Sequence, residues 1–144
     1  MKVEKLENLT ETDKKVLMAI WLAGNLDAHS FISAKYWQDR VAEVSKQLSE
    51  AVIYVVQQNH QIIGFAGMMT HYLAGMFVKP GYRDAGIGSL LLFALKSDYQ
   101  QIRLDVYKKN AKAIRFYQRH DFNETDQSVD PDTGEVELKM KWQE

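Results

Sequence analysis

The chain of 144 residues has no cysteine, only two prolines and no block of basic residues. The lack of cysteine excludes disulfides and thiolate chemistry, and it suits a reducing compartment, so we expect a cytoplasmic protein. Because the net charge is only −1, we expect no nucleic-acid partner. The apolar runs are too short to span a bilayer and the N-terminus lacks the apolar core of a signal peptide, so we expect no membrane association.

The composition that remains is typical of one globular domain. Hydrophobic residues make up 46% of the chain and charged residues 26%, and the length is sufficient to bury a core. We therefore expect a single domain over residues 1–144. None of the four histidines has the spacing of metal ligands, so no metal is expected. The sequence leaves open whether the protein is a monomer or a homodimer.

The hydrophobic pattern predicts alternating strands and helices. Apolar residues at helical spacing predict helices after the capping-box-like segment Thr10–Asp13, from Ser33 to Leu48, from the glycines near residue 86 to about Asp98, and after Asn110. Alternating or β-branched runs predict strands at 52–57, 62–69, 73–78, 102–107 and 136–142. Because a short turn at Asn59-His60 joins two of the strands, the sheet cannot be wholly parallel. The fold class is therefore α/β (α+β) with a mixed sheet.

Two glycines follow the predicted strand at 73–78 and open directly into a helix. The segment reads Arg83-Asp84-Ala85-Gly86-Ile87-Gly88. Glycines let the backbone approach a phosphate closely, and the first N–H groups of a helix attract anions. Leu91 stands where a dinucleotide fingerprint needs a third glycine, and no Gly-Lys-Ser/Thr follows, so neither a dinucleotide site nor a Walker loop is predicted. Locally, another phosphate-bearing ligand and a purely structural turn are equally open.

A second segment decides between these interpretations. After the strand at 102–107, the chain carries Asn110, Ala113, Phe116, Tyr117 and Phe122 at the spacing Asn-x-x-Ala-x-x-Phe-Tyr-x-x-x-x-Phe. Together with the glycine turn, this segment resembles the acyl-CoA-binding motifs of the GNAT superfamily of N-acetyltransferases. The order of predicted elements also agrees along nearly the whole chain. The resemblance implies a mostly antiparallel central sheet flanked by about four helices.

The resemblance also implies how acetyl-CoA, as co-substrate, would be held. The pyrophosphate would lie on the turn, formed here by Arg83, Asp84, Ala85, Gly86, Ile87 and Gly88. The pantetheine arm would run along the preceding strand and bond the backbone of Met76, Phe77 and Val78. Asn110 would contact the same arm, a role that is compatible with capping the helix that follows it.

The family's catalytic positions carry over onto two residues. Tyr117 matches the tyrosine that protonates the departing CoA thiolate, although a lone tyrosine here is also typical of a core aromatic. Asp105 lies twelve residues earlier, where ribosomal-protein N-terminal acetyltransferases of the superfamily carry a glutamate. Aspartate is shorter, so it would deprotonate the amine through water. A solvated residue on the polar face of a strand is the other interpretation of Asp105.

The loop between the first two helices is where the superfamily builds its acceptor pocket. It contains His29 and Phe31, which we predict to bind substrate. Because an imidazole titrates near neutral pH, His29 also competes with Asp105 for the role of base. A packing or surface role is the simpler interpretation of this histidine.

Two positions depart from the family pattern. Asp84 stands where the family commonly has glycine, and a carboxylate facing a pyrophosphate would weaken binding unless it points away. Asp121 replaces a glycine that ends a helix in the left-handed conformation, which aspartate tolerates better than most residues.

The sequence therefore predicts an enzyme that transfers acetyl from acetyl-CoA to a primary amine of a small molecule or protein by direct attack. The partners expected are acetyl-CoA and an amine acceptor of unspecified class. The alternatives are a catalytically weak or inactive GNAT-like module that binds or senses acyl-CoA, and a plain interaction domain.

Overall fold

The computed structural model describes residues 1–144, which form seven strands and five helices. The strands are β1 (Lys2–Lys5), β2 (Val52–Gln58), β3 (Gln61–Met69), β4 (Tyr72–Val78), β5 (Gln101–Tyr107), β6 (Asn123–Val129) and β7 (Val136–Gln143). The helices are α1 (Glu11–Ala28), α2 (Ala34–Asp39), α3 (Val41–Leu48), α4 (Ile87–Asp98) and α5 (Ala111–Arg119). No helix has both the length and the apolar character needed to cross a membrane.

All strands join one sheet in the order β1-β2-β3-β4-β5-β7-β6, and every neighbouring pair except β4 and β5 is antiparallel. The parallel pair meets at one position, Tyr72 opposite Arg103, where the Arg103 N–H donates to the His71 carbonyl over 2.8 Å. Beyond that point no further pairing joins the two strands, so the sheet opens into a gap at its centre. The mixed, mostly antiparallel sheet was predicted correctly.

A bulge distorts β4 beside this gap. Gly67 of β3 faces Gly75, whereas its neighbour Met68 faces Leu73, so Ala74 has no partner on β3. A bulge bends its strand and re-aims the groups that follow it. The remainder of β4 therefore presents backbone groups to the gap.

The helices cover the two faces of the sheet and create two cores. Helix α4 buries Leu91, Leu92 and Leu95 against one face, together with Phe122 from the segment after α5. Helices α1 to α3 cover the opposite face, where Leu17 and its neighbours form the second core. Side chains alternate along β5, so Val106 belongs to the first core and Tyr107 to the second.

The predicted capping box is confirmed, whereas one predicted helix is divided in two and two strands were not predicted. The capping box at Thr10 and Asp13 is formed, with both hydrogen bonds close to 3 Å. The predicted helix from Ser33 to Leu48 is instead two helices, which meet at Arg40. The Arg40 guanidinium donates to Asp132 over 2.9 Å, a contact between residues remote in sequence. Strands β1 and β6 were not predicted individually because both are mostly exposed and lack an alternating apolar pattern.

Candidate active site

A cavity of about 930 Å³ occupies the gap between β4 and β5. It is lined by residues from both sequence motifs and from the loop after α1. Of the predicted site residues, those that line it are His29, Met76, Phe77, Val78, Arg83, Asp84, Gly86, Ile87, Gly88, Asp105, Asn110 and Tyr117. Ala85 and Phe31 are not among its walls. Phe31 instead packs against the His29 ring at 5.7 Å and the Tyr107 ring at 5.8 Å.

The glycine turn has the backbone conformation that its composition indicates. Gly86 precedes α4 with φ +80°, a left-handed conformation that favours glycine. The first helical bond runs from the Leu90 N–H to the Gly86 carbonyl, so the amides before Leu90 have no helical acceptor. A Cβ on Gly88 would lie 3.1 Å from the Phe116 ring, which shows how closely α4 approaches α5. The turn therefore offers free amides at the cavity wall.

Asp84 also has a positive φ, of +62°, which gives a physical reason for the family's glycine at this position. Its carboxylate is 78% exposed and lies 3.3 Å from the Lys112 ammonium at the start of α5. The negative charge of Asp84 in the turn is thus paired with the positive charge of Lys112. Asp121 has φ +69°, so the predicted left-handed end of α5 is confirmed.

Arg83 ties the turn to two other elements. Its Nη1 donates to Asp27 near the end of α1 over 2.5 Å, and its Nε donates to the Val78 carbonyl over 3.2 Å. Its Nη2 is buried without a hydrogen-bond partner. The guanidinium therefore fixes the end of β4 and retains one buried donor without a partner.

The side chains of β4 point alternately to the two cores. Phe77 packs on Phe65 with ring centroids 5.6 Å apart, on the α1 side of the sheet. Met76 and Val78 pack on the α4 side. Because these side chains have packing roles, what β4 offers to a ligand in the gap is its backbone.

Asn110 makes two different hydrogen bonds with its side-chain amide. The Oδ1 atom accepts from the Ala113 N–H at 3.3 Å, so Asn110 is the N-cap of α5. The Nδ2 atom therefore faces His29 Nε2, to which it donates over 3.2 Å. The predicted cap is present, and the remaining donor is directed at the loop after α1.

His29 is held at both ring nitrogens. The buried Asn25 donates through Nδ2 to the Trp21 carbonyl over 3.0 Å, so its Oδ1 is the acceptor for His29 Nδ1, 3.0 Å away. His29 is consequently the Nδ1–H tautomer, and its Nε2 accepts from Asn110. A continuous chain of hydrogen bonds thus links α1 with the N-terminus of α5.

The surroundings of His29 keep it neutral. Its ring stacks on Trp37 at 5.3 Å and meets the edge of Tyr107 at 5.0 Å. Burial among these rings lowers the pKa of His29 from 6.5 to about 4. Since both nitrogens are engaged and the ring is a weak base, the geometry argues for a positioning role and against proton abstraction by His29.

Tyr117 lies at the cavity wall on the α4 side. Its ring makes edge contacts with Phe116 and Phe122, each at 5.4 Å. Burial raises the pKa of the Tyr117 phenol above its ordinary value. The hydroxyl is therefore protonated across the physiological range and is equipped to donate.

Two carboxylates face the cavity from the opposite side of the sheet. Asp105 accepts from the Tyr72 hydroxyl at 3.1 Å and lies 3.4 Å from the Lys139 ammonium. Glu137 of β7 lies beside it, opposite Tyr107 in the strand register. Burial, followed by the charge of Asp105, raises the pKa of Glu137.

Glu137 was not predicted as a site residue. Alternation along the last strand placed it on a polar face, but only the register between β5 and β7 brings it beside Asp105. Tyr72 was missed for a similar reason, because its hydrogen bond to Asp105 spans the junction of β4 with β5.

We predict that His29 titrates far below an ordinary histidine. Nitrogen-15 NMR of the imidazoles should show His29 as the Nδ1–H tautomer with a midpoint near pH 4. Between pH 6.5 and 4 the unfolded chain takes up a proton that the folded chain does not, so the free energy of unfolding falls as the pH is lowered through this range. The slope should decrease in His29→Gln. A midpoint near 6.5, or the Nε2–H tautomer, would contradict the hydrogen-bond chain.

Known proteins share both the sequence pattern and the fold. A family model described as acetyltransferase (GNAT) domain matches residues 49–124. The peptidyl-lysine N-acetyltransferase YiaC of Escherichia coli K12 is 32% identical over 128 residues, which cover 88% of each chain. The solution structure of the apo form of YjaB from Escherichia coli is 26% identical, with a TM-score of 0.84 over 99% of this chain and 98% of that one.

The fold also matches a structure with bound ligand. An aminoglycoside 6'-N-acetyltransferase complexed with coenzyme A has a TM-score of 0.74 over 99% of this chain and 97% of that one, at 13% identity. The match to the family domain covers both acyl-CoA motifs, and the likeness to YiaC extends over most of both sequences. The chain therefore belongs to the GNAT family of acetyltransferases and is an acyltransferase enzyme.

Proposed function

We propose that this enzyme transfers acetyl from acetyl-CoA to the ε-amino group of a lysine in a peptide or protein. The observation that carries the proposal is one continuous cavity, with the turn and Tyr117 on the α4 side and the carboxylates Asp105 and Glu137 on the other. The names of YiaC and of the Escherichia coli YjaB, both peptidyl-lysine N-acetyltransferases, support lysine as the acceptor. The proposal includes a single catalytic domain over residues 1–144 and a cytoplasmic location.

The residues at the gap fit acetyl-CoA, which would supply the acetyl group as a thioester. The free amides from Gly86 onward suit a pyrophosphate, and the unused Arg83 donor adds positive charge nearby. The backbone of residues 76–78 has no β5 partner, so an extended pantetheine arm can bond to it as an added strand. Asn110 closes this path beside the start of α5.

Replacing Gly86 tests the phosphate turn. Gly86→Val places a β-branched side chain at φ +80°, and we expect CoA to bind at least about tenfold more weakly, or about 1.4 kcal/mol. Gly134→Val is the matched control, because Gly134 has φ +75° in an equally open turn away from the cavity. Calorimetry with CoA measures both. Equal affinities in the two variants would refute the assignment of the turn.

Tyr117 would serve as the general acid. When the amine nitrogen attacks the thioester carbonyl, a C–N bond forms, the C–S bond breaks and a thiolate departs. A thiol has a pKa near 8.5 and a phenol near 10, so the phenol must be close and shielded from water to give up its proton. Tyr117 is partly buried against Phe116 and Phe122, which provides part of that shielding.

Removing only the phenolic hydroxyl tests this role. Tyr117→Phe keeps the ring contacts, so we expect kcat to fall about 100-fold while KM for acetyl-CoA changes less than about threefold. Tyr99→Phe is the control, since Tyr99 does not line the cavity. Turnover is followed as CoA release. Unchanged kcat in Tyr117→Phe would remove Tyr117 from the chemistry.

The carboxylate pair would accept the proton that the amine loses. A lysine ammonium has a pKa near 10.4, so a neighbouring base must help to form the reactive amine. Asp105 is already held by Tyr72 and Lys139. Glu137 has a raised pKa and belongs to none of the ion pairs in the structure, so its carboxylate is free to accept a proton. We assign proton acceptance to the pair, with Glu137 as the main acceptor and Asp105 raising its pKa.

The acid limb of the pH–rate profile separates these roles. In Asp105→Asn the neighbouring negative charge is lost, the pKa of Glu137 falls, and the limb should move to lower pH. In Glu137→Gln the limb should disappear and kcat should fall about tenfold or more. Glu124→Gln is the control, because Glu124 is exposed on β6 and lines neither cavity. An acid limb that neither substitution at Asp105 or Glu137 moves would contradict the assignment.

The alternative of a binding module without turnover rested on Asp84. Its carboxylate is exposed and paired with Lys112, so no feature of the turn favours that alternative. Acceptor-dependent release of CoA distinguishes the two functions directly, because a sensor would bind CoA without releasing it from acetyl-CoA.

A further inference from the structure

A smaller cavity of about 130 Å³ adjoins the reaction cavity. We call it the basic pocket; its walls are Tyr72, Arg103, Leu104, Asp105, Thr125, Lys139, Met140 and Lys141. Tyr72 and Asp105 line both cavities, and the hydrogen bond between them forms the shared wall. A molecule that places an amine at Asp105 therefore has the basic pocket immediately beside it.

Two positive charges face each other in this pocket. Arg103 of β5 is directly opposite Lys141 of β7, an arrangement that destabilises a sheet when no anion lies between the charges. Neither residue belongs to any of the ion pairs in the structure, whereas Lys139 is paired with Asp105. Arg103 is exposed and Lys141 is partly exposed. The pocket thus has two cations without acidic partners.

The strand geometry places these cations on the acceptor side of the sheet. Side chains alternate along a strand, so Arg103, Asp105 and Tyr107 share one face. Tyr107 belongs to the core beneath α1 and α2, the side opposite the glycine turn. Arg103 is two residues from Asp105, which is about 7 Å along the strand. An acceptor whose amine lies at Asp105 therefore has Arg103 about 7 Å away along β5, within reach of a carboxylate on the same acceptor.

We propose that the basic pocket binds a carboxylate of the acceptor, next to the lysine that is acetylated. This inference rests on the proposed function. The Arg103 guanidinium suits a carboxylate because it can donate two parallel hydrogen bonds, and Lys141 adds a second charge. The occupant is the side chain of an aspartate or glutamate that flanks the lysine in the peptide. A free α-carboxylate on a terminal lysine has the same chemistry.

Capped peptides with one lysine test the preference. In three of the peptides the lysine is flanked by aspartate, by alanine or by trimethyllysine, whose ammonium cannot react. A fourth peptide ends in lysine with a free α-carboxylate. We expect kcat/KM to be about tenfold higher with aspartate than with alanine neighbours, and lowest with the cations. The difference should shrink as salt rises. A gain confined to the fourth peptide would identify the α-carboxylate as the occupant and still support the pocket.

Charge reversal locates the preference in the pocket. Arg103→Glu and Lys141→Glu should each reverse the order, so that peptides with cationic neighbours react faster than those with aspartate. Lys46→Glu, on α3 and away from both cavities, makes the same change in net charge and should keep the wild-type order. The affinity for CoA, measured in parallel, reports that each variant is folded.

The outcomes separate this inference from the proposed function. Equal kcat/KM for all peptides in the wild type, or a preference that survives both reversals, overturns the carboxylate subsite. If no peptide reacts, the proposal of a peptide acceptor is overturned. Free lysine is then compared with 1,5-diaminopentane, which is lysine without its carboxylate. Equal rates there overturn the subsite, and a faster reaction with lysine supports it. No turnover with any amine contradicts both proposals.

Discussion

The separation of β4 from β5 creates the cavity in which the candidate active site lies. The two strands pair only at Tyr72 and Arg103, and the bulge at Ala74 turns the remainder of β4 away from its former course. Strand edges in a protein interior need partners for their backbone groups. An edge that opens onto a cavity is therefore a place where a ligand can complete the sheet. The glycine turn follows that edge after residues 79–82, so the edge and the turn both present backbone groups to the cavity.

The gap also separates two chemical environments. On the α4 side the Tyr117 phenol is protonated, and on the α1 side the carboxylates of Asp105 and Glu137 line the same cavity. The chain of hydrogen bonds through Asn25, His29 and Asn110 joins the helices on the two sides. Because His29 stays neutral, this link does not depend on pH near neutrality. In the proposed mechanism, an acid and a base would thus face one reacting centre from opposite sides of the gap.

Local features could be predicted from the sequence, whereas contacts between distant strands could not. The turn before α4 and the left-handed Asp121 follow from residue types within a few positions. The break between α2 and α3 falls at Arg40, whose guanidinium contacts Asp132 far along the chain, and no local signal in the sequence marked it. Glu137 joins the site only through the register of β7 on β5. His29 was recognised as a site residue, but its neutral state depends on the aromatic rings around it.

The proposed function requires direct transfer of acetyl from acetyl-CoA to a lysine side chain. Mass spectrometry tests it with labelled acetyl-CoA and a peptide that contains both a lysine and a free N-terminal amine. We expect label on the lysine Nε atom, and an unlabelled enzyme when the peptide is omitted, because a chain without cysteine offers no thiol to carry the acetyl group. Label on the N-terminal amine alone, or a stable acetyl-enzyme that passes its label to the peptide, would overturn direct transfer to lysine.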